Sequence, residues 1–151
     1  MRSMLLIVLI SLTVLFLTAL SAQSRDLSKL DACKILTPAD VATTTKRKVI
    51  QTVGGAVHCG YVVEAPQSGA ETYDLFLNEA SMVETSLAVK TANEKGSPIP
   101  GLWNEAYVGP AIGSKQLSLV ALHKGDIAIE IQGPNKDTLI ALAMVVVSRL
   151  K

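Results

Sequence analysis

Three stretches of the chain, 57–64, 73–78 and 126–132, alternate large apolar residues with other residues at a period of two. This period predicts β-strands that bury one face. Further strands are predicted at 49–53, 104–108 and 116–123. Short turns separate most of these strands, and the two-residue connection Lys124-Gly125 is typical of a hairpin. Consecutive strands joined by short turns pair antiparallel, so we expect an antiparallel sheet.

Helices are predicted at three places in the chain. The sequence Thr37-Pro38-Ala39-Asp40 starts a short helix, because threonine caps a helix, proline suits its first position and aspartate favours its positive end. Apolar residues recur at helical spacing over 79–95. A third helix is predicted at 137–150, with Asn135 or Asp137 as its cap.

The order of the predicted elements repeats once. Three strands followed by a helix occur over 49–95 and again over 104–150, although few residues are identical between the two. We interpret this as a βββα pseudo-repeat. Helices that cover an antiparallel sheet make an α+β domain, and residues 31–151 are enough for a single domain of this class. The polar stretch 23–30 is predicted to be a loose leader.

The N-terminus has the layout of a secretory signal. Arg2 precedes an almost wholly apolar run at 4–20, which small residues follow. This layout predicts a signal peptide at 1–22, cleaved after Ala22 or within two residues of it. The alternative is that the segment stays uncleaved and anchors the chain in a membrane. We therefore expect a periplasmic or secreted protein, which contacts the membrane only if the segment is uncleaved.

Cys33 and Cys59 are the only two cysteines of the chain. An even number of cysteines in an exported protein predicts a disulfide. A redox or metal site is the alternative, but there is no Cys-x-x-Cys sequence, and His58 beside Cys59 would point to the opposite face of a strand. No cysteine follows the apolar run directly, so no site of lipid attachment is visible.

Charge and motif content argue against several functional classes. Without Arg2, the 14 basic residues become 13 and equal the 13 acidic residues, whereas a nucleic-acid-binding domain carries a basic excess. No serine lies in a Gly-x-Ser-x-Gly sequence, and a general base would have to be His58 or His123. We predict a protein that is not an enzyme and that uses no cofactor or metal. A small hydrolase-like enzyme is the alternative.

The binding candidates lie beside a loop. Residues 96–101 include two prolines and two glycines, which predicts a rigid connection. This loop leads into Trp103, Glu105 and Tyr107, which include the single tryptophan and one of the three tyrosines. Aromatic side chains beside a rigid loop suit the binding of a partner protein or a small ligand. The alternative is that Trp103 packs the loop onto the sheet, because tryptophan is usually buried.

Five short sequences resemble a known family. They are Asp31-Ala32-Cys33-Lys34-Ile35-Leu36-Thr37-Pro38-Ala39-Asp40, Cys59-Gly60-Tyr61, Gly101-Leu102-Trp103-Asn104-Glu105-Ala106-Tyr107, Leu122-His123-Lys124-Gly125-Asp126 and Ser148-Arg149-Leu150. On these, residues 31–150 resemble uncharacterised bacterial exported domains, many of them lipoproteins. The family usually reads Gly-Leu-Gly-Asp-Glu-Ala where this chain reads Gly101-Leu102-Trp103-Asn104-Glu105-Ala106, so Trp103 replaces a glycine.

The resemblance implies an envelope or secreted location, a bridge between Cys33 and Cys59, and an α+β sheet domain. It implies no activity. Similar layouts occur in exported domains with layers like those of the photosystem extrinsic protein PsbP, which is an analogy of fold alone. The sequence therefore predicts an exported envelope protein with a non-catalytic binding role. A membrane-tethered accessory subunit is a further alternative.

Overall fold

The computed structural model describes residues 25–65, 67, 69–84 and 95–150. Its strands are β1 (Val49–Gly54), β2 (His58–Glu64), β3 (Ala70–Glu79), β4 (Ser97–Pro98), β5 (Glu105–Pro110), β6 (Leu117–His123) and β7 (Ile127–Gly133). Its helices are a 3-10 turn (Leu27–Lys29), α1 (Ala32–Ile35), α2 (Pro38–Thr45), α3 (Ala80–Glu84) and α4 (Lys136–Arg149). The α+β class and the antiparallel sheet are confirmed.

All seven strands form one antiparallel sheet in the order β1-β2-β3-β7-β6-β5-β4. Two meanders, β1 to β3 and β4 to β7, run inward from opposite edges and meet where β3 pairs with β7. The β6–β7 hairpin turns where the sequence predicts it, and Gly125 has the positive φ of 77° that glycine tolerates. Two details differ. β4 lies inside the predicted loop at 96–101, and β5 continues through Pro110 to a position opposite Leu117.

One face of the sheet, here called the inner face, is covered by α1, α2 and α4. The alternating residues of the predicted strands point to it as expected. The fully buried side chains are those of Cys59, Leu75, Leu119, Ile127, Ile129 and Ile131 on the strands and Leu139, Leu142, Ala143 and Val146 on α4. Burial of one leucine or isoleucine side chain contributes about 1.5–3 kcal/mol, so this layer supplies most of the stability of the fold.

The opposite face, here called the outer face, is covered in part by α3. Ala80 and Val83 pack on Val120, Leu122 and Ala128. α3 is the described part of the helix predicted at 79–95, of which residues 85–94 lie outside the described residues. The two helices that follow the two meanders therefore cover opposite faces. The strand-helix order recurs as predicted, but the packing does not, since a two-fold axis that exchanged β3 with β7 would keep both helices on one face.

The start of α2 has the capping that the sequence predicts. Thr37 and Asp40 form a capping box, in which the Thr37 N–H donates to Asp40 Oδ2 at 2.8 Å and the Asp40 N–H donates to Thr37 Oγ1 at 3.3 Å. Arg149, in the last turn of α4, donates to both oxygens of Asp40, at 2.6 and 2.8 Å. A bidentate arginine–carboxylate pair of this kind fixes orientation, and here it joins α4 to α2.

Residues 25–30, part of the predicted leader, contact the domain. Arg25 donates to the carbonyl oxygen of Leu150 at 2.9 Å and pairs with Asp126 at 2.9 Å. In the ranges that the structure describes, no helix has both the length and the apolar character needed to cross a membrane. The predicted signal peptide at 1–22 lies outside those ranges.

Cys33 of α1 and Cys59 of β2 form a disulfide, as the sequence predicts. Their Cα atoms are 5.2 Å apart. Cys59 is fully buried on the inner face, while the neighbouring His58 is half-buried on the outer face. The bridge therefore attaches α1 to the sheet.

The disulfide leads to a prediction about stability. We expect the double substitution Cys33→Ala/Cys59→Ala to lower the free energy of unfolding by about 3 kcal/mol, because it restores entropy to the unfolded chain. Urea unfolding of the two proteins under oxidising conditions measures this difference. The wild-type protein with a reducing agent should behave like the variant. Equal unfolding midpoints for variant and oxidised wild type would contradict the prediction.

The Asp40–Arg149 pair predicts how stability depends on pH. The hydrogen bond from Arg149, reinforced by Thr37, lowers the pKa of Asp40 from 3.8 to about 2. The pair therefore stabilises the fold above pH 3.8, and this contribution is lost as the pH falls through 2. Because Arg149 is partly exposed, we expect Asp40→Asn to cost about 1–2 kcal/mol at pH 7.

The difference between wild type and Asp40→Asn should shrink between pH 4 and 2 in urea unfolding. The exposed Glu64 at the end of β2 provides the matched control. Glu64→Gln should leave the free energy of unfolding at pH 7 almost unchanged. A cost for Asp40→Asn that persists undiminished at pH 2 would refute the assignment.

Candidate functional site

A groove runs between the proline-containing segment and β5. Its lining residues are Pro98, Ile99, Pro100, Asn104, Glu105, Ala106 and Tyr107, and its volume is about 360 Å³. We call it the proline groove. Pro98 lies opposite Tyr107 in the β4–β5 pair, and the Ile99 N–H donates to the Ala106 carbonyl at 2.8 Å. These contacts hold the segment against β5, so the groove has a fixed shape.

The charged side chain of the groove is already paired. Lys124 Nζ lies 2.6 Å from Glu105 Oε1, and this hydrogen bond raises the pKa of Lys124. The Lys124 N–H also donates to Asn104 Oδ1 at 2.8 Å. The β6–β7 turn therefore supports one wall of the groove and neutralises Glu105, which leaves the apolar residues to dominate its chemistry.

Trp103 is not part of this lining. It is half-buried, packs against the inner-face core, and its ring centroid lies 5.6 Å from that of His123. Its backbone is left-handed, with a φ of 48°. The three predicted binding residues thus do not form one site: Glu105 and Tyr107 share the groove, and Trp103 lies elsewhere. Its packing agrees with the alternative that it attaches the loop to the sheet.

Each of the two histidines pairs with a carboxylate. His58 Nε2 lies 3.1 Å from Asp74 Oδ1, and the His58 ring stacks on Phe76 with a centroid distance of 4.6 Å. His123 Nδ1 lies 3.3 Å from Asp126 Oδ2. Two histidine–aspartate pairs are therefore present. On β3, the Thr72 hydroxyl accepts a hydrogen bond from Gln116 at 2.7 Å.

The His58–Asp74 pair borders a shallow depression of about 180 Å³ on the outer face. Gly60 lies directly opposite Asp74, and a Cβ atom at Gly60 would come within 2.8 Å of Asp74 Oδ1. The glycine thus leaves space for the aspartate to reach His58. Val53 at the rim is 58% exposed, so the depression offers an aliphatic edge beside an imidazole–carboxylate pair.

A third cavity, of about 210 Å³, lies on the outer face and is lined by Pro110, Ala111, Ile112, Ser118, Glu130 and Gln132. We call it the Glu130 pocket. The Ser118 hydroxyl donates to Glu130 Oε1 at 2.7 Å, and Gln132 Nε2 donates to the same oxygen at 2.9 Å. Sequence reasoning missed these residues, because Glu130 and Gln132 occupy ordinary outward positions of an alternating strand. The only signal was that both are polar and two positions apart.

No group of three or more histidine, cysteine, aspartate and glutamate side chains within the described ranges is arranged to hold a metal ion. Comparison with known proteins finds no family model, no curated protein and no solved structure that matches the chain. The resemblance to bacterial exported domains therefore stays a prediction.

The left-handed backbone of Trp103 predicts an unusual order of stability. Both Trp103→Gly and Trp103→Ala lose the packing of the ring, but only glycine adopts a φ of 48° without a steric penalty. We expect Trp103→Gly to be more stable than Trp103→Ala by about 1 kcal/mol, measured by urea unfolding.

Ile50, exposed in β1, supplies the comparison, since its backbone is an ordinary strand. There the glycine variant should be the less stable of the pair. A Trp103→Ala variant as stable as Trp103→Gly would show that the backbone at this position carries no penalty for a side chain.

Proposed function

We propose that the protein is an exported, non-catalytic binding domain of the cell envelope, and that it recognises a protein partner through the proline groove. The observation that carries this proposal is the groove itself, a volume of about 360 Å³ lined by two prolines, Ile99 and Tyr107. Apolar and aromatic residues in a recess with polar groups at its rim are typical of the energetic centre of an interface.

The rigidity of the groove supports a binding role. Prolines at 98 and 100 restrict the backbone, and the Ile99–Ala106 hydrogen bond ties the segment to β5. A site that is ordered before binding loses less conformational entropy when it is occupied. An apolar side chain of the partner would enter between Pro98 and Tyr107, and the Glu105–Lys124 pair would remain at the rim.

Two features support export. The sequence predicts a signal peptide at 1–22, and the Cys33–Cys59 disulfide is of the kind that persists in oxidising compartments. If the N-terminal segment stays uncleaved, the same groove would belong to a membrane-tethered accessory subunit. The intact mass of the protein recovered from the envelope separates the two, because cleavage would leave a chain that begins at Gln23.

A small hydrolase-like enzyme is the second candidate, and the His58–Asp74 pair favours it. Hydrolysis by a covalent route needs a nucleophile beside the base. The Thr72 hydroxyl on the same face accepts a hydrogen bond from Gln116, which occupies it in a structural contact. The binding role therefore has the better support.

Site-specific photocrosslinking in cells tests the binding role. A benzophenone amino acid at Pro100, an exposed position in the groove, should crosslink to a discrete partner. The purified partner should then bind Tyr107→Ala at least about tenfold more weakly than wild type, because a central aromatic residue carries a large share of the binding energy.

Met144, which is 56% exposed on α4 at the inner-face side of the molecule, provides the control position. A benzophenone at 144 should not crosslink to that partner, and Met144→Ala should bind it within about twofold of wild type. The same crosslinks from both positions, or equal affinities for Tyr107→Ala and wild type, would refute the groove as the binding site.

A further inference from the structure

Glu130 is a half-buried carboxylate whose charge is not matched by a cation. The ion pairs among the described residues include Asp40, Glu71, Glu105 and Asp126, but none includes Glu130. Ionised carboxylates are costly to bury unless they are paired or hydrogen-bonded. A ligand that brings a positive charge to Glu130 would therefore gain from an interaction that the protein itself does not make.

The position of the Glu130 side chain is fixed by two donors. Ser118, only 4% exposed, donates from its hydroxyl to Oε1 at 2.7 Å, and Gln132 Nε2 donates to the same oxygen at 2.9 Å. Both contacts follow from the register, since Ser118 lies opposite Gln132 and Val120 lies opposite Glu130. The second carboxylate oxygen and the amide oxygen of Gln132 remain as acceptors toward the pocket.

The remaining wall of the pocket is apolar. It consists of Pro110, Ala111 and Ile112, and Ile112 is 52% exposed. A ligand that satisfies the whole pocket therefore combines hydrogen-bond donors carrying a positive charge with a short hydrocarbon stem. A primary ammonium has three donors and no acceptor, so it matches two oxygen acceptors and solvent.

We propose that the Glu130 pocket binds a primary alkylammonium group. The ammonium binds Glu130 Oε2 and Gln132 Oε1, and the alkyl stem packs on Pro110 and Ile112. The group is supplied either by a lysine side chain of a protein or by a free amine, which share this chemistry. The proposal is independent of the proline groove, so either can fail without the other.

Titration of the ¹⁵N-labelled protein with butylammonium chloride at pH 7 tests the pocket. We expect saturable shifts of the backbone amide signals of Ser118, Glu130 and Gln132. Glu130→Gln keeps an oxygen that can accept from Ser118 but removes the charge, and it should bind at least about tenfold more weakly. Glu64→Gln, a matched change on an exposed strand residue, should bind like wild type.

Sodium butyrate, which has the same stem and the opposite charge, should cause no saturable shift at these amides. The proposal is overturned if butylammonium causes none either, if butyrate binds equally well, or if Glu130→Gln binds within twofold of wild type. A blocked Ala-Lys-Ala peptide then identifies the source of the amine. Tighter binding than butylammonium assigns the pocket to a lysine side chain, and equal or weaker binding assigns it to a free amine.

Discussion

The pairing of β3 with β7 is the contact on which the rest of the structure depends. The other strand pairs are hairpins or short-range neighbours within one meander, whereas this pair joins positions 74–79 to positions 127–132. Ordering the chain between them costs loop entropy, although this cost grows only slowly with length. Burial of Leu75 and Leu77 beside Ile131 and Ile129, beneath α4, offsets it. The Arg149–Asp40 pair then ties α4 to the helix that precedes the first meander.

Local features of this fold follow from the sequence, and the assembly of the parts does not. The alternation of apolar residues predicted six strands and the buried face of β7, and Thr37 with Asp40 predicted the start of α2. A period of two says which face a residue occupies, but it does not say which strand lies beside it. The strand order, the short β4 and the placement of α3 and α4 on opposite faces are therefore properties of the tertiary structure alone.

The same division applies to the candidate sites. Glu105 and Tyr107 could be predicted because they are close in sequence to the prolines that form the groove with them. Trp103 shares that proximity, yet its left-handed backbone directs it to the inner-face core. Ser118 and Gln132 lie on different strands and meet only through the β6–β7 register. No spacing within the sequence could have placed them together.

The proline groove and the Glu130 pocket lie on the same side of the sheet. Tyr107 is opposite Val120, and Val120 is opposite Glu130, so the two sites are separated by two strand spacings, about 10 Å. Three residues of extended chain cover that distance. A single segment with an apolar residue at one end and a lysine at the other would reach both sites, and occupation of the first would raise the effective concentration of the second group at its own site. The strand register thus sets the spacing that a partner must match.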